Sequence, residues 1–101
     1  MSTRRVVVTG IGALTPIGNN LNEYWNGLTE GTSGAGPITL FDSTNFKTKF
    51  ACEVKGFNPT DFIDRKQARK LDRFCQFAVT VADQAFNDSG LSVEKIDSDR
   101  A

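Results

Sequence analysis

Histidine is absent from the 101 residues, and cysteine appears only twice. Without an imidazole, neither a Ser-His-Asp nor a Cys-His arrangement can be assembled from these residues, because no side chain with an ordinary pKa near neutrality can serve as the base. Cys52 and Cys75 form no C-x-x-C pair. That spacing, with histidine missing, argues against a zinc site and a disulfide framework and suits reduced thiols in a cytosolic protein. Net charge is also missing, since twelve basic and twelve acidic residues cancel. Balanced charge gives no general attraction to nucleic acid or membranes, although a local cluster can still serve one partner. Long apolar runs are lacking too. The start, Met-Ser-Thr-Arg-Arg, leads into too few apolar residues for a signal-peptide core or a spanning helix. The expectation is a soluble, unexported protein.

A chain of this length can bury a modest core, removing roughly 60 to 70 % of the unfolded surface from water. Arg5 to Thr9, Arg-Val-Val-Val-Thr, lacks polar alternation and predicts a strand covered on both faces. The glycine-bearing stretch Gly10 to Asn20 follows. Asn20 with Glu23 three residues on forms a capping-box pattern for a helix over about Leu21 to Leu28. Gly31 to Pro37, with three glycines and a proline, predicts a loop. Phe50, Cys52 and Val54 alternate with Ala51, Glu53 and Lys55 as in a half-exposed strand, so Cys52 is expected to pack rather than react.

Asn58-Pro59 reads as the cap and first position of a brief helical turn. Asp64 with Gln67 then opens a long helix that Gly90 stops. Along it Leu71, Phe74, Cys75, Ala78, Ala82, Ala85 and Phe86 share a face. Phe77, Val79 and Val81 widen the apolar surface, leaving Gln76, Thr80, Asp83 and Asn87 as a narrow polar line. A helix apolar over most of its girth belongs inside a larger body. A parallel strand needs neighbours reached by crossovers, which these residues do not supply. The pattern therefore predicts the N-terminal portion of a longer enzyme.

Two readings of the glycine stretch compete. A dinucleotide fingerprint needs glycines at relative positions 0, 2 and 5 and a loop that opens directly into a helix. Gly10 and Gly12 fit, but Thr15 holds the third position and Pro16 interrupts. A phosphate loop of the G-x-x-x-x-G-K-[ST] type fails on spacing and on the missing lysine. Tight turns or close backbone packing explain the glycines better. A nicotinamide-dependent reductase is disfavoured on the same residues.

The chemically distinctive cluster is Arg65, Lys66, Arg69, Lys70 and Arg73, opposed locally by Asp64 and Asp72. On a continuous helix these cations share one exposed patch. Cations near a helix N-terminus oppose the macrodipole, so helix stability alone does not favour them. The patch is either a solvated face or a landing site for an acidic partner. Nucleic acid fits less well, because exposed aromatics are not interleaved with the cations.

Four stretches carry a resemblance: "RRVVVTGIGALTPIGNN", "YWNGLTEGTSG", "FDSTNFKTKFACEVKGFNP" and "RKQARKLDRFCQFAVTVADQAFNDSGL". In this order the chain resembles the N-terminal segment of β-ketoacyl-acyl-carrier-protein synthases, especially the type II condensing enzymes of bacterial fatty-acid synthesis. The resemblance implies an α/β, thiolase-like fold with layers of helix and mixed sheet. Residues 1–101 would be the N-terminal portion of its first half, an incomplete domain. It also implies a cytoplasmic homodimer without metal or nucleotide cofactor, and no nucleic-acid or membrane partner. The implied activity is acyl transfer by decarboxylative Claisen condensation of acyl and malonyl carrier protein. The family's nucleophilic cysteine and two histidines have no counterpart here, and neither "FACEV" nor "RFCQF" matches the nucleophile's motif. The isolated segment is thus expected to be inactive. Carried over by position, the acyl-carrier-protein-binding residues are Lys66, Arg69 and Lys70, with Arg65 and Arg73 as auxiliaries on charge alone. A non-catalytic homologue resembling a chain-length factor is the alternative.

Overall fold

A computed structural model describes residues 3–97 and 99. Helices α1 (Leu21–Glu30), α2 (Arg65–Lys70) and α3 (Arg73–Ser89) accompany strands β1 (Ala35–Pro37) and β2 (Phe50–Cys52). Single 3-10 turns occupy Pro59–Asp61 and Val93–Lys95.

Helix α1 starts as its local chemistry dictates. The Asn20 side chain accepts from the Glu23 amide at 2.9 Å and donates to the Glu23 carboxylate at 3.0 Å. It runs to Glu30, two residues beyond the expected range, and is stopped by Gly31, whose φ of 69° suits a residue without Cβ. Asn58 caps the turn opened by Pro59, as expected, by accepting from the Thr60 amide.

Five expectations require correction. Arg5 to Thr9 forms no strand, and Val6 is 97 % exposed. A strand exists only against a neighbour, and the two strands among the described residues pair with each other. The glycine-proline stretch is not wholly loop. Its last three residues are β1, antiparallel to β2 with Ala35 opposite Cys52 and Pro37 opposite Phe50. Cys52 is exposed rather than packed, because no second layer covers this two-stranded sheet among the described residues. The long helix is broken in two, since Leu71 and Asp72 are extended with ψ of 138° and 162°. The Asp64 side chain makes no capping hydrogen bond at the start of α2.

The glycine stretch lies directly on α3. A Cβ on Gly10 would come within 2.1 Å of the Ala85 carbonyl oxygen, and one on Gly12 within 2.2 Å of that of Val81. Neither glycine has positive φ, so close backbone approach is what requires them. The amide of Ile11 donates to the Asp88 carboxylate at 3.0 Å, and that of Ala13 to Gln84 Oε1 at 2.9 Å. Gln84 donates in turn to the Asn19 carbonyl at 2.8 Å. The expected turn follows, with Thr15 and Gly18 exchanging backbone bonds across Pro16 and Ile17.

This contact covers one strip of α3 rather than most of its girth. Phe77, Thr80, Val81 and Gln84 are covered, and Thr80 is fully buried with its hydroxyl donating to the Gln76 carbonyl. Phe74, Val79 and Phe86 are exposed. The buried hydrophobic core comprises only Ile63 and Ala68 among the described residues. Accordingly the radius of gyration is 17.7 Å, against about 13 Å for a compact chain of this length. No helix among the described residues is long and apolar enough to cross a membrane.

Candidate functional site

The cationic cluster is built on a helix too short to be stable alone. Ile63 and Ala68 bury the apolar side of α2 and its approach, while Arg65, Lys66, Arg69 and Lys70 are exposed. The three sequence-assigned residues Lys66, Arg69 and Lys70 therefore do lie together. Arg65 and Arg69 border an open groove lined also by Pro59, Thr60, Ala68 and Gln76. Pairs 65/69 and 66/70 put like charges four residues apart, which destabilises a helix by a few tenths of a kcal/mol each. A counter-charge brought by a partner would remove that repulsion.

Arg73 departs from the expected patch. The break at Leu71 and Asp72 removes it from the row formed by Arg65 and Arg69. Its guanidinium lies 4.9 Å from the Phe57 ring centroid and 5.2 Å from that of Phe77. Those rings meet edge to face at 5.3 Å. Gln76, read from sequence only as part of a polar line, reaches back from α3 to α2. Its amide donates to the Ala68 carbonyl at 2.9 Å and to that of Leu71 at 3.5 Å. A polar residue on an otherwise apolar helix was the signal for it.

The glycine stretch cannot cradle phosphate in this arrangement. The Ile11 and Ala13 amides already donate to Asp88 and Gln84, and the Asp88 carboxylate occupies the place an anion would need. Cys52 and Cys75 are free thiols on different elements, and the chain has no histidine to activate either. No group of three or more His, Cys, Asp or Glu side chains converges as a metal site among the described residues.

Two carboxylates outside the cluster are held below their ordinary pKa. The Thr39 hydroxyl, donating at 2.8 Å, is the main cause for Glu53, helped by the Thr39 and Leu40 amides and by Lys55. For Asp42 the cause is the hydroxyl and then the amide of Thr44. Lys55 itself ties three segments together, donating to the Gly34, Pro16 and Glu53 carbonyls at 3.0, 3.1 and 3.1 Å.

Comparison with known proteins gives this geometry its context. The family described as "Beta-ketoacyl synthase, N-terminal domain" matches residues 3–101. A Synechocystis 3-oxoacyl-[acyl-carrier-protein] synthase 2 is 52% identical over 99 residues, covering 98% of this chain and 24% of that protein. The same-named protein of Vibrio harveyi is 50% identical over 93 residues, covering 92% of this chain and 22% of its own length. The chain thus spans about a quarter of the length of these relatives. Among solved structures, "The ishigamide ketosynthase/chain length factor" superposes with a TM-score of 0.85 at 41% identity, over 94% of this chain and 24% of that one. That likeness assigns the fold to the ketosynthase, thiolase-like class, although the described residues themselves display only helices and a two-stranded sheet. On sequence and structure alike, this chain belongs to the β-ketoacyl synthase family and matches its N-terminal part.

Proposed function

We propose that the protein carrying this chain is a 3-oxoacyl-[acyl-carrier-protein] synthase of type II, and that Lys66, Arg69 and Lys70 form its landing site for acyl carrier protein. The observation that carries this reading is the exposed trio on α2, in a chain whose relatives bear that name at 52% and 50% identity. Lysine ammonium and arginine guanidinium groups at this density steer an acidic partner and fix its orientation. Their contribution falls with added salt, since exposed pairs are screened within about 10 Å at 0.1 M.

The proposed reaction is an acyl transfer in two halves. A cysteine thiolate outside residues 1–101 takes the acyl group from its carrier, forming a new thioester and releasing the carrier thiol. Malonyl carrier protein then loses carbon dioxide, and the resulting carbanion attacks that thioester, expelling the cysteine thiolate and leaving 3-oxoacyl carrier protein. Splitting the reaction through a covalent intermediate is nucleophilic catalysis, with histidines outside this chain stabilising the developing oxyanions. Cys52 and Cys75 take no part, and residues 1–101 alone are inactive. A cytoplasmic homodimer with layered helices and sheets, of which these residues form part of the first half, completes the reading.

A second reading has one specific observation behind it. The solved neighbour is described as a ketosynthase/chain length factor, which suits a non-catalytic homologue that keeps the carrier surface. Assay of the protein as encoded, with acyl and malonyl carrier protein, separates the two. Equal amounts of carbon dioxide and 3-oxoacyl product support the synthase; carrier binding without product supports the homologue.

A further inference from the structure

We propose that Gln76 and Arg73 are positioning residues that fix the angle of the cationic helix α2, and so the fit of its acidic partner. The inference rests on the carrier-docking reading above and extends it to two residues that do not belong to the cationic trio.

The argument starts from what α2 lacks. It has six residues, four of them cationic, and no side-chain cap at Asp64. Nothing internal to such a helix fixes its direction. The break at Leu71 and Asp72 also uncouples it from α3, because extended residues transmit no helical register. Two bridges restore the coupling. Gln76, a turn into α3, donates to the Ala68 carbonyl at 2.9 Å and to the Leu71 carbonyl at 3.5 Å. These acceptors belong to the last turn and the C-cap of α2, where the Ala68 carbonyl also accepts a long 3.3 Å bond from the Leu71 amide. Arg73, the first residue of α3, lies over Phe57 and Phe77, fastening the elbow to the segment that precedes the Pro59 turn. Phe57 stacks also on Phe62, with centroids 6.4 Å apart, next to buried Ile63. Both flanks of α2 are thereby referred to the same aromatic group.

A partner with an acidic helix meets Lys66, Arg69 and Lys70 as one pattern only while α2 keeps this direction. If α2 rocks, the charges persist but their spacing against the partner's carboxylates does not. Uncharged Gln76 and ring-bound Arg73 therefore govern partner affinity without touching the partner.

The test uses the protein as encoded, with KM for acyl carrier protein set against KM and kcat for a carrier-free acyl thioester. Gln76→Leu and Arg73→Gln are each expected to raise carrier KM by about threefold to tenfold, the worth of one lost hydrogen bond or cation-π contact. The carrier-free parameters are expected to stay unchanged. Phe57→Leu, which keeps every charge, should reproduce Arg73→Gln, and the double variant should be no worse than either single one. Arg73→Lys should recover most of the loss. If Phe57→Leu leaves carrier KM unchanged while Arg73→Gln raises it, Arg73 acts by direct charge and its positioning role falls. If Gln76→Leu does not fold, the Arg73 and Phe57 pair decides the question. Lys66→Glu with Arg69→Glu runs in parallel. No effect there overturns the docking reading itself, whereas a strong effect there with none at Gln76, Arg73 and Phe57 overturns only the positioning role.

Discussion

Replacing Gly12 by alanine tests the account of the glycine stretch. The added Cβ would stand 2.2 Å from the Val81 carbonyl oxygen and 3.0 Å from the Gln84 Cβ. Carbon and oxygen in contact stay about 3.3 Å apart, so the segment must lift by about 1 Å from α3. The same lift stretches the Ala13 amide contact to Gln84, now 2.9 Å, to about 3.9 Å, beyond hydrogen-bonding range. The neighbouring bond from Ile11 to the Asp88 carboxylate is strained with it. Overpacking of this kind costs about 1–3 kcal/mol, and the amide bonds about 1 kcal/mol or more each, giving about 3–5 kcal/mol in all. The control is Gly36→Ala, where the added Cβ meets nothing within 4 Å and φ is not positive. That change should be neutral or slightly stabilising. Urea denaturation of the protein as encoded, followed by tryptophan fluorescence, compares the two. Equal midpoints for Gly12→Ala and Gly36→Ala would refute close approach to α3 as the reason for the glycine.

Three further outcomes are expected. Asp72→Pro should cost less than about 1 kcal/mol, because Asp72 already has φ of −67° and Leu71 is extended; a loss of about 3 kcal/mol would mean an unbroken helix across the position. Thr39→Val should move the Glu53 pKa back up toward its ordinary value, read by carboxyl carbon chemical shifts. Because the folded pKa is depressed, the Thr39 contact stabilises the fold above the unfolded carboxylate's pKa, and that stabilisation is lost as pH falls through the folded one; no shift on substitution would contradict the cause. Lys55→Met should loosen Pro16, Gly34 and Glu53 together, seen as faster amide exchange in all three segments. Exchange changed at one segment alone would contradict a shared tether.

Sequence resolved those features whose causes are local. Asn20 and Glu23 cap α1 through their own side chains, and Gly90 ends α3 in the left-handed conformation with φ of 70°. The four matching stretches likewise sufficed to identify the family. The failures were non-local. Ala35-Gly36-Pro37 has loop composition, and only pairing with Phe50 to Cys52 makes it a strand. Val6 to Val8 have strand composition but pair with no strand among the described residues. Leu71 and Asp72 offered no glycine or proline to mark the elbow, though aspartate is a good cap residue and Gln76 donates to the Ala68 and Leu71 carbonyls there. The exposed cations Lys66, Arg69 and Lys70 were legible because charge density is written directly in the sequence. The place of Arg73 over Phe57 and Phe77 was not legible, because those rings lie on separate elements.

The most direct measurement of the central claim is the pair of KM values, for acyl carrier protein and for a carrier-free thioester, before and after Lys66→Glu with Arg69→Glu. Reversing two exposed charges against an acidic partner should raise the carrier KM at least tenfold at low salt, and the difference should shrink as salt increases. The carrier-free KM should not move. An equal change in both, or in neither, would contradict a carrier-docking role for α2.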